Sequence, residues 1–179
     1  MNKETILVVD DNRQLGDFIA YRLLPSMGYS ASTAYNGKSA LEAIRATPPS
    51  LILLDLELPD ATGLDILRQL NAEDIHIPTV LFTAHGSEHI AAEAFRLGVQ
   101  DYLDKGVEID VLSASISRAL TESRLRRETE RLTAQLKDQV TWLTVLSKVG
   151  KSVTSTLDID DVLKRIVEAG VLLTRSDEG

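Results

Sequence analysis

A doubly wound α/β domain followed by a long helix is what this sequence predicts, on three observations. Short β-branched runs alternate with helical patterns in five units that fit about 120 residues. The runs are too apolar to leave one face in water. Beyond residue 107 the helical pattern meets no Pro or Gly until Gly150. Strands alternating with helices imply a parallel sheet covered on both faces by right-handed crossovers.

The first strand is read at Ile6 to Val9, followed by a helix whose Leu15, Phe18, Ile19 and Leu23 recur at helical spacing. Tyr29 to Tyr35 reads as a second strand and Gly37 to Ala46 as a second helix. Pro48 and Pro49 separate that helix from a third strand at Leu51 to Leu54. A helix over Gly63 to Asn71 and a strand over Thr79 to Phe82 come next. A helix over Ser87 to Leu97 ends at Gly98, and Asp101 to Leu103 supplies a short fifth strand.

The helical pattern that follows predicts roughly 60 Å of rod at 1.5 Å per residue. One heptad frame puts Leu125, Leu132, Gln139 and Leu146 at d and Glu122, Thr129, Leu136 and Leu143 at a. Polar residues at three of these eight positions suit a register-fixing coiled coil, and the rod is expected to form a homodimer through residues 115–150. Trp142 falls at g, at the edge of the seam. The rival reading is a single surface helix with Arg124, Arg126, Arg127 and Arg131 solvated. Past Gly150, Asp158 is an N-cap candidate for a helix with Val162, Leu163, Ile166, Val167 and Leu173 on one face. That face needs a partner, so the segment is read as the opening of a further domain. The expected organisation is a core over 3–110, a helical extension over 111–150 and the start of another module over 151–179.

Composition narrows the chemistry. With 44% hydrophobic residues in 179, the chain is too apolar to be disordered. No apolar run reaches the roughly 18 residues of a membrane span, and the start has no signal peptide, so a soluble cytoplasmic protein without membrane contact is expected. The absence of cysteine excludes disulfides, thiolate chemistry and Cys-based zinc sites. His76, His85 and His89 are scattered and read as surface or loop residues, so any metal must be bound by oxygen. Residues 1–110 carry a net charge of −9 and residues 111–179 a net +1. An acidic front half argues against direct binding of nucleic acid, which needs a basic face for its phosphates.

The acids occupy special positions. In an open parallel sheet ligands bind beyond the carboxyl ends of the strands. Asp10 and Asp11 follow the first strand, Asp55 the third, Thr83 the fourth and Lys105 the fifth. Taken singly, each has a commonplace explanation as a cap, a turn closer or an exposed lysine. Together they converge on one rim. Three carboxylates there call for a cation, and hard oxygen ligands select Mg²⁺ or a similar ion such as Mn²⁺. A metal, an ammonium, a hydroxyl and backbone N–H groups are the equipment for holding a phosphoryl group, with Asp55 as the nucleophile.

These residues resemble the receiver domain of two-component response regulators: VVDDN at 8–12, LLDLELPDATGLDIL at 53–67, LFTAHG at 81–86 and DYLDKG at 101–106. Four motifs occur in order over about two-thirds of the chain. The resemblance implies a flavodoxin-like sheet of order 2-1-3-4-5. It also implies that Asp55 accepts a phosphoryl group from a phosphohistidine on a sensor histidine kinase or histidine phosphotransfer protein. Asp10, Asp11, Asp55 and the backbone carbonyl of Glu57 are then the metal ligands. Thr83 is the hydroxyl that turns toward the phosphate, Tyr102 the aromatic that changes rotamer with it, and Ala84 the small residue beside it. Glu57 and His85 match variable positions that shape access for attacking water. Where the family usually has Pro, Gly106 follows Lys105, so this loop is expected to differ or to be looser. Leu58 stands for the usual Met, a near volume-conserving change. Behind the receiver motifs, residues 142–179 resemble the first helices of a GAF domain, preceded by a signalling helix.

The function expected is a phosphorylation switch that passes its state through the fifth helix into the rod, with no enzyme activity beyond self-catalysed phosphorylation and dephosphorylation of Asp55. The chain could belong to a hybrid histidine kinase or a cyclic-dinucleotide enzyme. An aspartyl-phosphate phosphohydrolase would share the carboxylate, metal and lysine logic but lacks a substrate-capping insertion. A non-phosphorylated scaffold is disfavoured because every phosphorylation residue is present.

Overall fold

The computed structural model describes residues 4–84 and 86–156, with side chains described as far as Lys148. Of the GAF-like opening expected over 151–179, residues 157–179, with the Asp158 cap and the apolar face, lie outside the described residues, as does His85. Two compact units are distinguished, Met1–Arg126 and Arg127–Gly179.

Five strands, β1 (Thr5–Val9), β2 (Ser30–Ala34), β3 (Leu51–Leu54), β4 (Thr79–Thr83) and β5 (Asp101–Asp104), form one parallel sheet of order β2-β1-β3-β4-β5. The apolar runs are continuous because both faces of the sheet are covered. Side chains alternate along a strand, so Leu7, Val9, Ile52, Leu54 and Leu81 face one layer while Ile6, Val8, Leu51, Leu53, Val80 and Phe82 face the other. The first layer is closed by α2 (Gly37–Ala46), α3 (Gly63–Ala72) and α4 (Glu88–Arg96), through Ala40, Ile44, Ile66, Leu67, Leu70 and Ala94. The second is closed by α1 (residues 13–26) and by the first turns of α5 (Ile109–Thr156), through Ile19, Ala20, Leu24, Leu112, Ile116, Ala119 and Leu120.

Helix starts follow capping chemistry. Asn12, Asn36, Thr62 and Ser87 each accept a backbone N–H from the first turn of the helix they precede. Thr62 and Asp65 complete a capping box. Past α4, Gly98 takes φ of +94°, a left-handed conformation that glycine adopts without steric cost.

Two expectations are corrected. The first helix is not one regular helix: Arg13–Phe18 is α, Ile19–Leu23 is a π segment, and Leu24–Ser26 is α again, together called α1. Pro25 explains the widening, since it offers no N–H to the carbonyl of Tyr21 and its ring would clash there. Leu24 is fully buried while Phe18, expected in the core, is 50% exposed. The second correction concerns α5, which runs through Gly150 to Thr156 instead of ending at that glycine. A lone glycine costs a helix only about 1 kcal/mol relative to alanine, too little to stop one. Among the described residues no helix is long and apolar enough to cross a membrane.

Candidate functional site

Register brings the strand ends together. Val9 pairs with Leu54, so the residues that follow, Asp10 and Asp55, emerge side by side from β1 and β3. The ladder continues one residue further: the Asp55 N–H donates to Val9 O at 2.8 Å and the Asp10 N–H to Ala34 O at 3.1 Å. This is the point where strand order reverses, since β1 lies between β2 and β3. From the far side the Lys105 N–H donates to Thr83 O at 2.9 Å, which carries the β4–β5 pairing to the same rim.

There the side chains converge. Lys105 Nζ donates to Asp55 Oδ2 at 2.6 Å and lies 2.8 Å from Asp10 Oδ2. The other Asp55 oxygen accepts the Leu56 N–H at 2.7 Å, and Asp10 Oδ1 accepts the Asn12 N–H at 2.9 Å. Asp10 and Asp55 are 3% and 5% exposed, whereas Asp11 is on the surface. Carboxylate oxygens of Asp10, Asp11 and Asp55 lie within 4.8 Å of one another. Burial lifts the Asp10 carboxyl above its ordinary range, with Lys105 and the Asn12 N–H pulling the other way. Burial also works against the Lys105 ammonium, but its hydrogen bonds to Asp10 and Asp55 outweigh it and hold the lysine above its ordinary value. The Asp10 shift reflects its burial, and the Lys105 shift its two carboxylate partners. Three carboxylates against one ammonium leave two negative charges, which a divalent ion held by hard oxygen ligands balances. The donor set therefore fits Mg²⁺ or Mn²⁺.

The residues beside this cluster have defined places. Thr83 ends β4 and is 1% exposed. Glu57 is exposed, and its backbone forms an antiparallel bridge with Thr62 that closes the loop between β3 and α3. Tyr102 is half-buried in β5, and its hydroxyl is buried with no hydrogen-bond partner among the described residues. The hydroxyl packs against Gly86, in the position that a Cβ there would occupy. Burial, with Asp104 adding to it, pushes the Tyr102 phenol up. Glu57, Ala84, Gly86, Tyr102 and Asp104 line one open recess. Despite Gly106 the turn after Lys105 is ordered by hydrogen bonds: the Gly106 N–H donates to Asp104 Oδ1 at 2.6 Å and the Val107 N–H to Asp104 O at 3.1 Å. Asp104 thus orders the turn, and Lys105 Nζ reaches both Asp55 and Asp10.

Two residues of the site were not singled out from sequence. A Cβ on Gly63 would stand 2.5 Å from Asp55 O and 3.2 Å from Leu56 Cα, so only glycine lets α3 begin against the backbone of Asp55. The readable signal was a glycine at the first position of a well-capped helix, where it is a poor helix former. Asp60 gives both oxygens to α2, accepting the Gly37 N–H at 2.7 Å and the Lys38 N–H at 3.0 Å. Those amides hold its carboxyl below the usual carboxylate range.

A parallel five-stranded sheet with an acidic cluster and a lysine at its carboxyl rim defines a class. The response regulator receiver domain model matches residues 6–117, and the chain belongs to that family. Among its relatives, the regulatory protein LuxO of Vibrio vulnificus is 35% identical over 124 residues, covering 69% of this chain and 27% of that protein. The nitrogen assimilation regulatory protein NtrX of Azorhizobium caulinodans is 36% identical over 129 residues, covering 71% and 28%. Among solved structures, the signal receiver domain of a LuxO repressor protein from Vibrio parahaemolyticus superposes with a TM-score of 0.68 at 30% identity, covering 72% of this chain and 98% of that one. NtrX from Brucella abortus gives 0.66 at 35% identity, covering 72% and 29%. The chain thus spans little more than a quarter of the curated relatives LuxO and NtrX.

Proposed function

We propose that this chain is the phosphoacceptor of a two-component phosphorelay, with Asp55 as the nucleophile and a phosphohistidine of a sensor kinase or phosphotransfer protein as the donor. A receiver domain implies such a donor. The observation that carries the reading is the placement of Lys105 Nζ at hydrogen-bond distance from both Asp55 and Asp10, inside a cluster of three carboxylates. In the transfer a carboxylate oxygen of Asp55 forms a bond to phosphorus while the P–N bond of the donor breaks and its electron pair leaves on the imidazole. Lys105 balances charge on the phosphoryl oxygens, and the buried Thr83 supplies a hydroxyl at the same rim. Asp10, Asp11, Asp55 and the carbonyl of Glu57 would hold Mg²⁺, which supplies Lewis-acid charge neutralisation when bound.

The switch that follows uses Thr83 and Tyr102. Phosphate favours the state in which Thr83 turns toward Asp55, and only a difference in affinity between states shifts the population. A phenol buried with no hydrogen-bond partner among the described residues gives up no hydrogen bond when its rotamer changes. The output passes through α5, where the apolar residues Leu132, Leu136, Leu143 and Leu146 are each roughly half-exposed and recur at heptad spacing. We take this stretch to pair with a second copy. In this reading the chain acts as a regulator in the cytoplasm and turns over no substrate of its own. A signalling helix and GAF-like module downstream would place them in a larger sensor or output protein.

The test is intact-mass spectrometry after treatment with acetyl phosphate and Mg²⁺. The chain is expected to gain one phosphoryl group, and Asp55→Asn none. Equal labelling of both proteins would overturn the proposal.

A further inference from the structure

The loop joining β3 to α3 carries the Glu57 carbonyl, and its conformation is secured twice. At its base the Gly63 N–H donates to Leu56 O at 2.7 Å, and Glu57 bridges Thr62. Across its tip the Leu58 N–H donates to Ala61 O at 3.2 Å. The second attachment lies outside the loop. Asn36 caps α2 locally by accepting the Ser39 N–H at 2.8 Å, which leaves the N–H groups of Gly37 and Lys38, at the first two helical positions, for another acceptor. Asp60 takes both, one with each carboxylate oxygen. A Cβ on Gly37 would come within 3.1 Å of Ala61 Cβ and 3.2 Å of Asp60 Oδ1, so the bare first turn of α2 is what admits the loop so closely. Asp60 is on the surface, 23 residues from Gly37, and touches none of the three carboxylates at the rim. A bidentate bond from a loop tip to the start of another helix fixes the direction in which the loop presents its backbone.

We infer that Asp60 is a positioning residue for the metal site: by clamping the loop to the first turn of α2 it holds the Glu57 carbonyl in place for the divalent ion. The inference rests on the metal reading proposed above. Outer groups that orient a ligand typically contribute about tenfold or more to metal affinity. Asp60 therefore governs how much Mg²⁺ the site needs, while the phosphoryl chemistry at saturating metal stays with Asp55 and Lys105.

Mn²⁺ is titrated into the unphosphorylated chain and the free ion counted by its EPR signal, for the wild type, Asp60→Ala, Asp60→Asn and Arg45→Ala. The last variant removes the α2–α3 ion pair with Glu73 and leaves the loop untouched. Asp60→Ala is expected to raise the Mn²⁺ Kd roughly tenfold. Asp60→Asn, which keeps one acceptor oxygen, should fall between it and the wild type, and Arg45→Ala should leave the Kd unchanged even where its Tm drops. A Kd for folded Asp60→Ala within twofold of the wild type overturns the inference and leaves the proposed function standing. An equal rise in Arg45→Ala at a matched loss of Tm overturns it as well. A wild-type chain that binds no Mn²⁺ overturns both.

Discussion

The carboxyl rim of the sheet and the 127–148 stretch of α5 use the same residue types to opposite ends. At the rim, charges from residues 10, 55 and 105 are buried against one another, and each has a partner far away in sequence. Along 127–148 it is the apolar residues that meet solvent, while Arg131 pairs with Glu128 only three positions away. Buried charge is tolerated only where it is matched, and exposed leucine at regular spacing gains free energy only when covered. The rim gathers its charges within one chain, whereas the helical stretch leaves its apolar residues exposed, the feature on which the proposed pairing with a second copy rests.

The largest expected effect breaks the rim. Lys105→Ala leaves two buried carboxylates beside each other and should destabilise the metal-free chain by about 3 kcal/mol. It should also slow phosphoryl uptake by about 10²- to 10³-fold, the usual result of removing one preorganised donor. Calorimetry with and without Mg²⁺ would show a larger metal-induced rise in Tm than in the wild type, since the ion replaces the lost positive charge. If Lys105→Ala takes up phosphate at the wild-type rate, the ammonium has no role at the reacting centre.

Breaking the helical stretch should have the complementary result. In the proposed dimer Leu143→Glu would remove two leucines from the seam, at about 1.5–3 kcal/mol each. Sedimentation equilibrium should then show dimerisation weakened roughly 100-fold or more. Phosphoryl uptake should be unaffected. A wild-type chain that stays monomeric would refute the pairing and leave the rim untouched.

Gly63→Ala sharpens the comparison by altering packing without altering charge. Its Cβ meets the Asp55 carbonyl, so a loss of about 1–3 kcal/mol is expected in urea unfolding, with Asp55 labelled more slowly even where the protein is folded. The smallest effect belongs to Gly86→Ala. The new methyl takes the place of the Tyr102 hydroxyl, and the ring resonances of Tyr102 should move toward those of a solvent-exposed tyrosine while the initial rate of phosphorylation changes little. Unchanged Tyr102 resonances would show that the hydroxyl does not depend on that glycine.

The layout was legible because apolar runs and polar strand ends are one-dimensional signals. Leu51–Leu54 and Gly37–Ala46 fall within the bounds read from periodicity alone. The sheet has the order that the family motifs imply, and the groups at positions 10, 11, 55 and 105 meet at one rim because each follows a strand of that sheet. What escaped was three-dimensional. The widened turn before Pro25 turns on a missing donor, and Phe18 lies off the face that Ile19, Ala20 and Leu24 bury. Gly63 and Asp60 act through backbone that is close in space, and no pattern in a single sequence states which distant N–H group a carboxylate will find. The Asp104 side chain orders the turn after Lys105, a contact visible only once partners are known.

The most direct test is a crystal structure of the chain with Mg²⁺ and the phosphoryl mimic beryllofluoride. It should show one ion bound by Asp10, Asp11, Asp55 and the Glu57 carbonyl, with beryllium on a carboxylate oxygen of Asp55 and Lys105 Nζ against a fluoride. An intact fold in which Asp55 carries no beryllium, or the ion sits away from these oxygens, would contradict the account.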